Sequence, residues 1–204
     1  MNTPTHLLIG AAVLARPGAQ DGGAPHHRWR NAAILAGALA PDLALFAMFA
    51  WMRGVAGVSE ETLWREVYWR EHWQTVFALG NAVALYGLIA VAGWLVRDRA
   101  VGRLAMIFAV AALLHLAFDL PFHHDDAHRH FWPLSDWRFH SPLSYWDTAH
   151  HGDIVGYLET AMALVLIIVL WRRFPENPWV KAALGIAGLS YVAVPLYFTL
   201  MLGG

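Results

Sequence analysis

The chain has 204 residues, 58% hydrophobic and 14% charged, with a formal net charge of −1 and no cysteine. Soluble domains carry about 25% charged residues, so the deficit marks an integral membrane protein, and the near-neutral balance gives no argument for nucleic acid as a partner. Without cysteine, disulfides, thiolate metal sites, iron–sulfur clusters and covalent c-type haem are excluded.

In chain order, the first apolar run, Leu7 to Ala15, lacks a basic n-region and a convincing small-residue cleavage site, so it reads as retained rather than as a signal peptide. From Thr5 it is too short to span and reads as a half-helix or re-entrant piece. Ala32 to Met52 is long enough to cross. Pro41 inside it removes a backbone donor and is expected to open the helix near Gly37, beside Asp42. Ser59 to Trp73 is charged and aromatic, with Ser59 as N-cap and Glu60 and Glu61 in the first turn. Trp64, Val67 and Tyr68 share one face, so this piece is expected to lie on the membrane surface. Thr75 to Val96 is the second span, with Asn81 read as a helix–helix contact. Leu104 to Phe122 is the third, ended by Pro121. Ile154 to Trp171 is the fourth and carries a lone acid, Glu159. Val180 to Leu202 is the fifth. The expected fold is all-α: a polytopic membrane helix bundle of five spans and a short N-terminal half-helix. It forms one domain over residues 1–204, with a His/Asp-rich loop or lid at 121–153.

Arginine and lysine set the orientation. Arg16, Arg28 and Arg30 precede the first span, Arg97, Arg99 and Arg103 join the second to the third, and Arg172, Arg173 and Lys181 join the fourth to the fifth. The positive-inside rule puts these segments in the cytoplasm and the histidine-bearing connections on the opposite side. His26 and His27 then lie away from the outer site. The loop aromatics, among them Phe131, Trp132, Trp137, Tyr145 and Trp146, suggest that it folds back onto the interface.

Residues 115–153 hold eight of the chain's twelve histidines and six of its nine aspartates. Imidazole and carboxylate at this density are metal-ligand chemistry. At 1.5 Å per helical residue from the cytoplasmic ends, His6, Asp42 and His115 come to roughly 14, 16 and 18 Å of depth, so three segments deliver candidate ligands near mid-membrane. His115 and Asp119 are four apart and share a helix face. Ionisable groups at such depth are rare and usually functional, although a buried His–Asp pair can also serve packing alone. His123, His124, Asp125, Asp126, His128 and His130 are too many for one ion; we assign His123 and His124 as candidate ligands and the remainder as solvated, gating or capture groups. His150, His151 and Asp153 are expected to close over the site from the far end of the loop. Asp119 and Glu159 are the candidate catalytic carboxylates. The donors suit a divalent ion, with Zn favoured over Mn, Fe or Mg.

Four short pieces stand in order along the chain: Thr5-His6, Gly37-Ala38-Leu39-Ala40-Pro41-Asp42, His115-Leu116-Ala117-Phe118-Asp119 and Phe131-Trp132-Pro133-Leu134-Ser135. In these pieces and their order the chain resembles, over roughly its first two-thirds, the membrane-bound metal-dependent hydrolases of the YdjM-like type. Ala44 stands where the family has a second aspartate, and His72-Trp73-Gln74 is a loose counterpart of its downstream His-Ser pair. The resemblance implies a bacterial inner-membrane protein with a divalent-metal site at His6, Asp42, His115 and Asp119. Three functions follow as expectations. The first is a metal-dependent hydrolase opening to the periplasmic face and acting on a lipid-like ester or another small molecule, with membrane lipid as its surroundings. The second is a non-catalytic metal-handling protein. The third is a b-haem or structural subunit, for which His6 and His115 are the one histidine pair at matching depth.

Overall fold

The computed structural model describes residues 1–17 and 26–202, with no account of the side chains of 26–28 and 197–202, so the His26 and His27 side chains lie outside it. Among the described residues every regular element is helical. α1 (Thr3–Leu14) is 12 residues long, roughly 18 Å, and falls short of a bilayer core of about 30 Å. Pro4 sits in its first turn, where a missing N–H leaves no helical bond unmade.

Five stretches are long and apolar enough to cross a membrane, which makes this an integral membrane protein by helix length and composition. The first, Trp29–Gly54, is α2 (His26–Leu39), a 3₁₀ turn at Ala40–Asp42 and α3 (Leu43–Gly54). The break thus falls at Pro41 itself and not near Gly37. Gly37 stays helical because it is pressed against the third span: a Cβ there would strike the Phe108 carbonyl. The strain of the proline is taken up downstream, by tightening to the 3₁₀ register.

α4 (Glu60–Thr62) begins as expected, with Ser59 Oγ accepting from the Thr62 amide at 3.1 Å. It then widens into a π turn, Leu63–Val67, in which the Tyr68 amide reaches the Leu63 carbonyl. The extra residue in that turn shifts the faces. Leu63, Val67 and Tyr68 pack with Met48 and Phe77, while Trp64 is 39% exposed. The segment is therefore packed into the bundle through Leu63, Val67 and Tyr68 and does not simply lie on a membrane surface, while Trp64 stands at its open edge with its ring 6.0 Å from that of Tyr68.

The second span, Glu71–Leu95, is α5 (Glu71–Gly80) and α6 (Val83–Leu95), interrupted at Asn81 and Ala82. Asn81 does not join two helices. Its Nδ2 donates to the Phe77 carbonyl of its own helix at 2.9 Å, and its carbonyl accepts from His130 Nδ1 at 3.1 Å. The two interruptions meet: a Cβ at Gly80 would lie 3.1 Å from the Pro41 carbonyl oxygen.

α7 (Ala100–Asp119) continues through a 3₁₀ turn to Phe122 and is the central helix, packing on α1, α2 and α6. Its buried face is small: Ala109, Ala111 and Ala112 are wholly enclosed. Small residues let membrane helices approach closely where no hydrophobic effect drives them together. α8 (Gly152–Arg173) and α9 (Pro178–Leu202) complete the bundle, and Leu8 of α1 packs among Ala163, Ile167, Leu170 and Leu184. Leu88, Ile186 and Leu189 are about 70% exposed, as lipid-facing residues would be.

The loop from His123 to His151 docks onto the break in the second span and the end of α7. Arg129 pairs with Glu71 at 2.9 Å and Asp136 at 3.1 Å, and Arg138 donates to Gln74 Oε1 and the Ala127 carbonyl. The Val83 amide donates to the His130 carbonyl, Ser141 to that of His123 and Tyr145 to that of Phe122. These bonds satisfy backbone groups freed where the helices stop.

Candidate metal centre

The proline break prepares the first ligand. With the Pro41 amide missing and the register tightened, the carbonyls of that turn are loosened, and Ala38 O is 2.7 Å from His115 Nδ1. A carbonyl can only accept, so Nδ1 carries the proton and Nε2 is left as a bare lone pair. His115 Nε2 is buried without a hydrogen-bond partner. It points at two carboxylates, Asp42 Oδ1 at 3.7 Å and Asp119 Oδ2 at 3.8 Å.

α1 brings His6 to the same place. Its ring lies flat on that of His115, with centroids 3.6 Å apart and planes 13° from parallel. His6 Nε2 is 3.0 Å from Asp119 Oδ1, and the opposite nitrogen, Nδ1, is buried without a partner. The other oxygen of Asp119, Oδ2, is 3.0 Å from His123 Nε2. Asp42 is held by Thr3, whose hydroxyl donates to Oδ2 at 2.6 Å. The Met1 amino nitrogen lies 2.5 Å from Asp119 Oδ1.

The expected ligands His6, Asp42, His115, Asp119 and His123 thus come together, and the agreement in depth of the first three is realised in space. His6, His115 and Asp119 each offer a ligand atom within 4.8 Å of the others, all three residues buried. Metal–nitrogen and metal–oxygen bonds of about 2.0–2.2 Å accommodate neighbouring ligand atoms at the 3.0–3.8 Å separations found here. The orphaned nitrogens and the N,N,O donor set therefore fit a divalent ion, and buried His/Asp groups able to hold one are a property of this structure.

Three expectations come out otherwise. His124 turns from the cluster: its Nδ1 is 2.6 Å from the Ser141 carbonyl and its ring stacks on His150 at 3.5 Å. The 3₁₀ turn ends between Phe122 and His123, and in the extended backbone beyond it successive side chains point to opposite sides. His150 is tied to Asp147 at 2.7 Å, and His151 and Asp153 are exposed, so the far end of the loop does not close over the ligands. Glu159 is buried, but its Oε1 accepts from the Asn2 amide at 2.7 Å and the Thr5 hydroxyl at 2.5 Å. It holds the start of α1, one residue from His6. Glu159 Oε2, buried without a partner, belongs to a separate cavity with Tyr191 between α8 and α9.

The loop groups that composition left undivided among ligand, gating and solvated roles take definite places. Burial alone would lower the His123 imidazole; Asp119 and Asp126 overcome it and hold it up at about 9. Asp126 Oδ2 stands 2.9 Å from His123 Nδ1. Desolvation, with the neighbouring His123, drives His128 down to about 3. Burial raises Tyr145, whose ring is 5.0 Å from that of His123. A cavity of about 710 Å³ leads to these groups, its wall formed by Phe46, Trp64, Tyr68, Trp69 and Trp146 and its inner end by Asp42, Asp119 and His123. Comparison with family models, curated proteins and solved structures gives no match to this chain.

Proposed function

We propose that this protein is a membrane-embedded, metal-dependent hydrolase of the YdjM-like type, acting on a lipid-like ester from the non-cytoplasmic side of a bacterial inner membrane. The observation that carries the reading is the meeting of His6, His115 and Asp119 from distant parts of the chain, buried, with unpartnered ring nitrogens. Buried ionisable groups in a membrane are costly and are kept for function. The aromatic wall of the cavity supports an amphipathic substrate: apolar along Phe46, Trp64 and Trp69, polar at the ligand end. The loop at the cavity mouth lies opposite the arginine-rich connections, which supports the periplasmic assignment.

A divalent ion, Zn in the favoured assignment, would lower the pKa of a water bound to it. Of the two carboxylates beside His115, Asp42 is the more open, with 18% of its side chain exposed against 3% for Asp119. Asp42 is therefore placed to take a proton at its Oδ1, while Thr3 fixes the other oxygen. Asp119 would supply a carboxylate oxygen to the ion beside His6 and His115. The stacked His6 and His115 rings speak against a haem between them, since axial imidazoles stand on opposite faces of a porphyrin and these lie face to face at 3.6 Å.

Elemental analysis of purified protein tests the metal, and release of product from short-chain carboxylic and phosphoric ester lipids tests the chemistry. Wild type should retain divalent metal, and His115→Ala and Asp42→Ala should each lower its metal content, His115→Ala at unchanged helicity because alanine is a better helix former than histidine. Metal that binds without turnover of any ester would favour metal handling; wild type without metal would end the proposal.

A further inference from the structure

We propose that the centre is binuclear: Asp119 bridges one ion held with His6 and His115 and a second held with His123 and His128. This deepens the metal-site reading above and rests on it. His6, His115 and Asp119 form one set of ligand atoms within 4.8 Å of one another; Asp119, His123 and His128 form another, and Asp119 belongs to both.

The two oxygens of that carboxylate face different partners. Oδ1 is 3.0 Å from His6 Nε2, while Oδ2 is 3.0 Å from His123 Nε2 and 3.8 Å from His115 Nε2. A carboxylate with histidines of both sets around its two oxygens is placed to bridge ions about 3.5–4 Å apart. Each half has an acceptor on its outer side. The Ala38 carbonyl fixes His115 through Nδ1, and the Asp126 carboxylate stands 2.9 Å from Nδ1 of His123. Nε2 of both rings faces Asp119, as in metal sites where a carbonyl or carboxylate lies on the far side of the ring. His128 comes from the loop, its ring centroid 5.0 Å from that of His123, and lines the same cavity as Asp119, His123 and Asp126. With Asp42, six residues offer donors here, more than the four a single tetrahedral zinc takes.

The test uses the full chain in detergent, stripped of metal and loaded with Mn²⁺ or Zn²⁺. Wild type should take up about two ions per chain and, with Mn²⁺, give the exchange-coupled spectrum of a close pair. His128→Gln should hold about one ion and lose the coupling, with unchanged helicity; His6→Gln should do the same from the other side. Asp119→Asn should weaken both ions. One ion in wild type, bound in His128→Gln but lost in His115→Ala, would overturn the second site and leave the first standing. Two ions without coupling, or two retained in His128→Gln, would also overturn it. No bound metal in wild type would remove the first reading as well.

Discussion

Glu159 shows how little a residue type says until its partners are known. A lone acid in an apolar helix reads as catalytic, yet Oε1 is taken up by the Asn2 amide and the Thr5 hydroxyl, next door to His6. If its work is to seat α1, glutamine will serve, because its carbonyl still accepts both bonds. Glu159→Gln should therefore keep metal affinity within about threefold, whereas Glu159→Ala should weaken it by roughly 10–100-fold, as loss of a supporting contact does. Metal titration of the two variants checks this, and a Gln variant as poor as Ala would return the carboxylate charge to the mechanism. His123 and His124 make a similar point. They are adjacent and chemically identical, and the end of one 3₁₀ turn sends one to Asp119 and the other to His150. Composition shows such a cluster; it does not show which ring points inward.

The spans themselves were legible, because twenty apolar residues in a row have few alternatives in a chain this poor in charge. His115, Asp119 and Asp42 were legible for the converse reason, as ionisable groups inside those runs. The interruptions were less so. Pro41 announced one, but its position depended on Gly37 being held against α7, a long-range contact. The π turn at Leu63–Val67 and the gap at Asn81 carry no comparable signal; they exist because Leu63 and Val67 find Met48 and Phe77, and because the loop supplies His130. Gly37 is the point at which this packing can be probed. Gly37→Ala should push α2 off Phe108, destabilise the bundle by about 1–3 kcal/mol and disturb the neighbouring Ala38–His115 bond. Gly87→Ala is the matched control: its Cβ meets open space, and replacing a helical glycine should be neutral or stabilising, by up to about 1 kcal/mol. Unfolding in detergent would compare them; equal effects would show that the α2–α7 contact yields easily.

At the scale of the whole molecule, the bundle puts its arginine-rich turns at one end and the histidine loop at the other. Arg129 and Arg138, the loop's own positive charges, are engaged with Glu71, Asp136, Gln74 and the Ala127 carbonyl. Single cysteines at Leu134, 85% exposed, and at Ala100 separate the two ends. An impermeant thiol reagent applied to whole cells should label Leu134→Cys and spare Ala100→Cys; the reverse pattern would invert the protein.

α1 spans too little of the bilayer to be anchored by its own length, and its histidine meets partners as far along the chain as Asp119. Ribosomes add roughly 5–20 residues per second, so His6 waits on the order of ten seconds for the last of them to be made. The centre is therefore a product of late assembly. Until α7 is in place, His6 lacks its ring and carboxylate neighbours, and the seat of α1 is finished only when α8 brings Glu159 and the apolar cluster around Leu8.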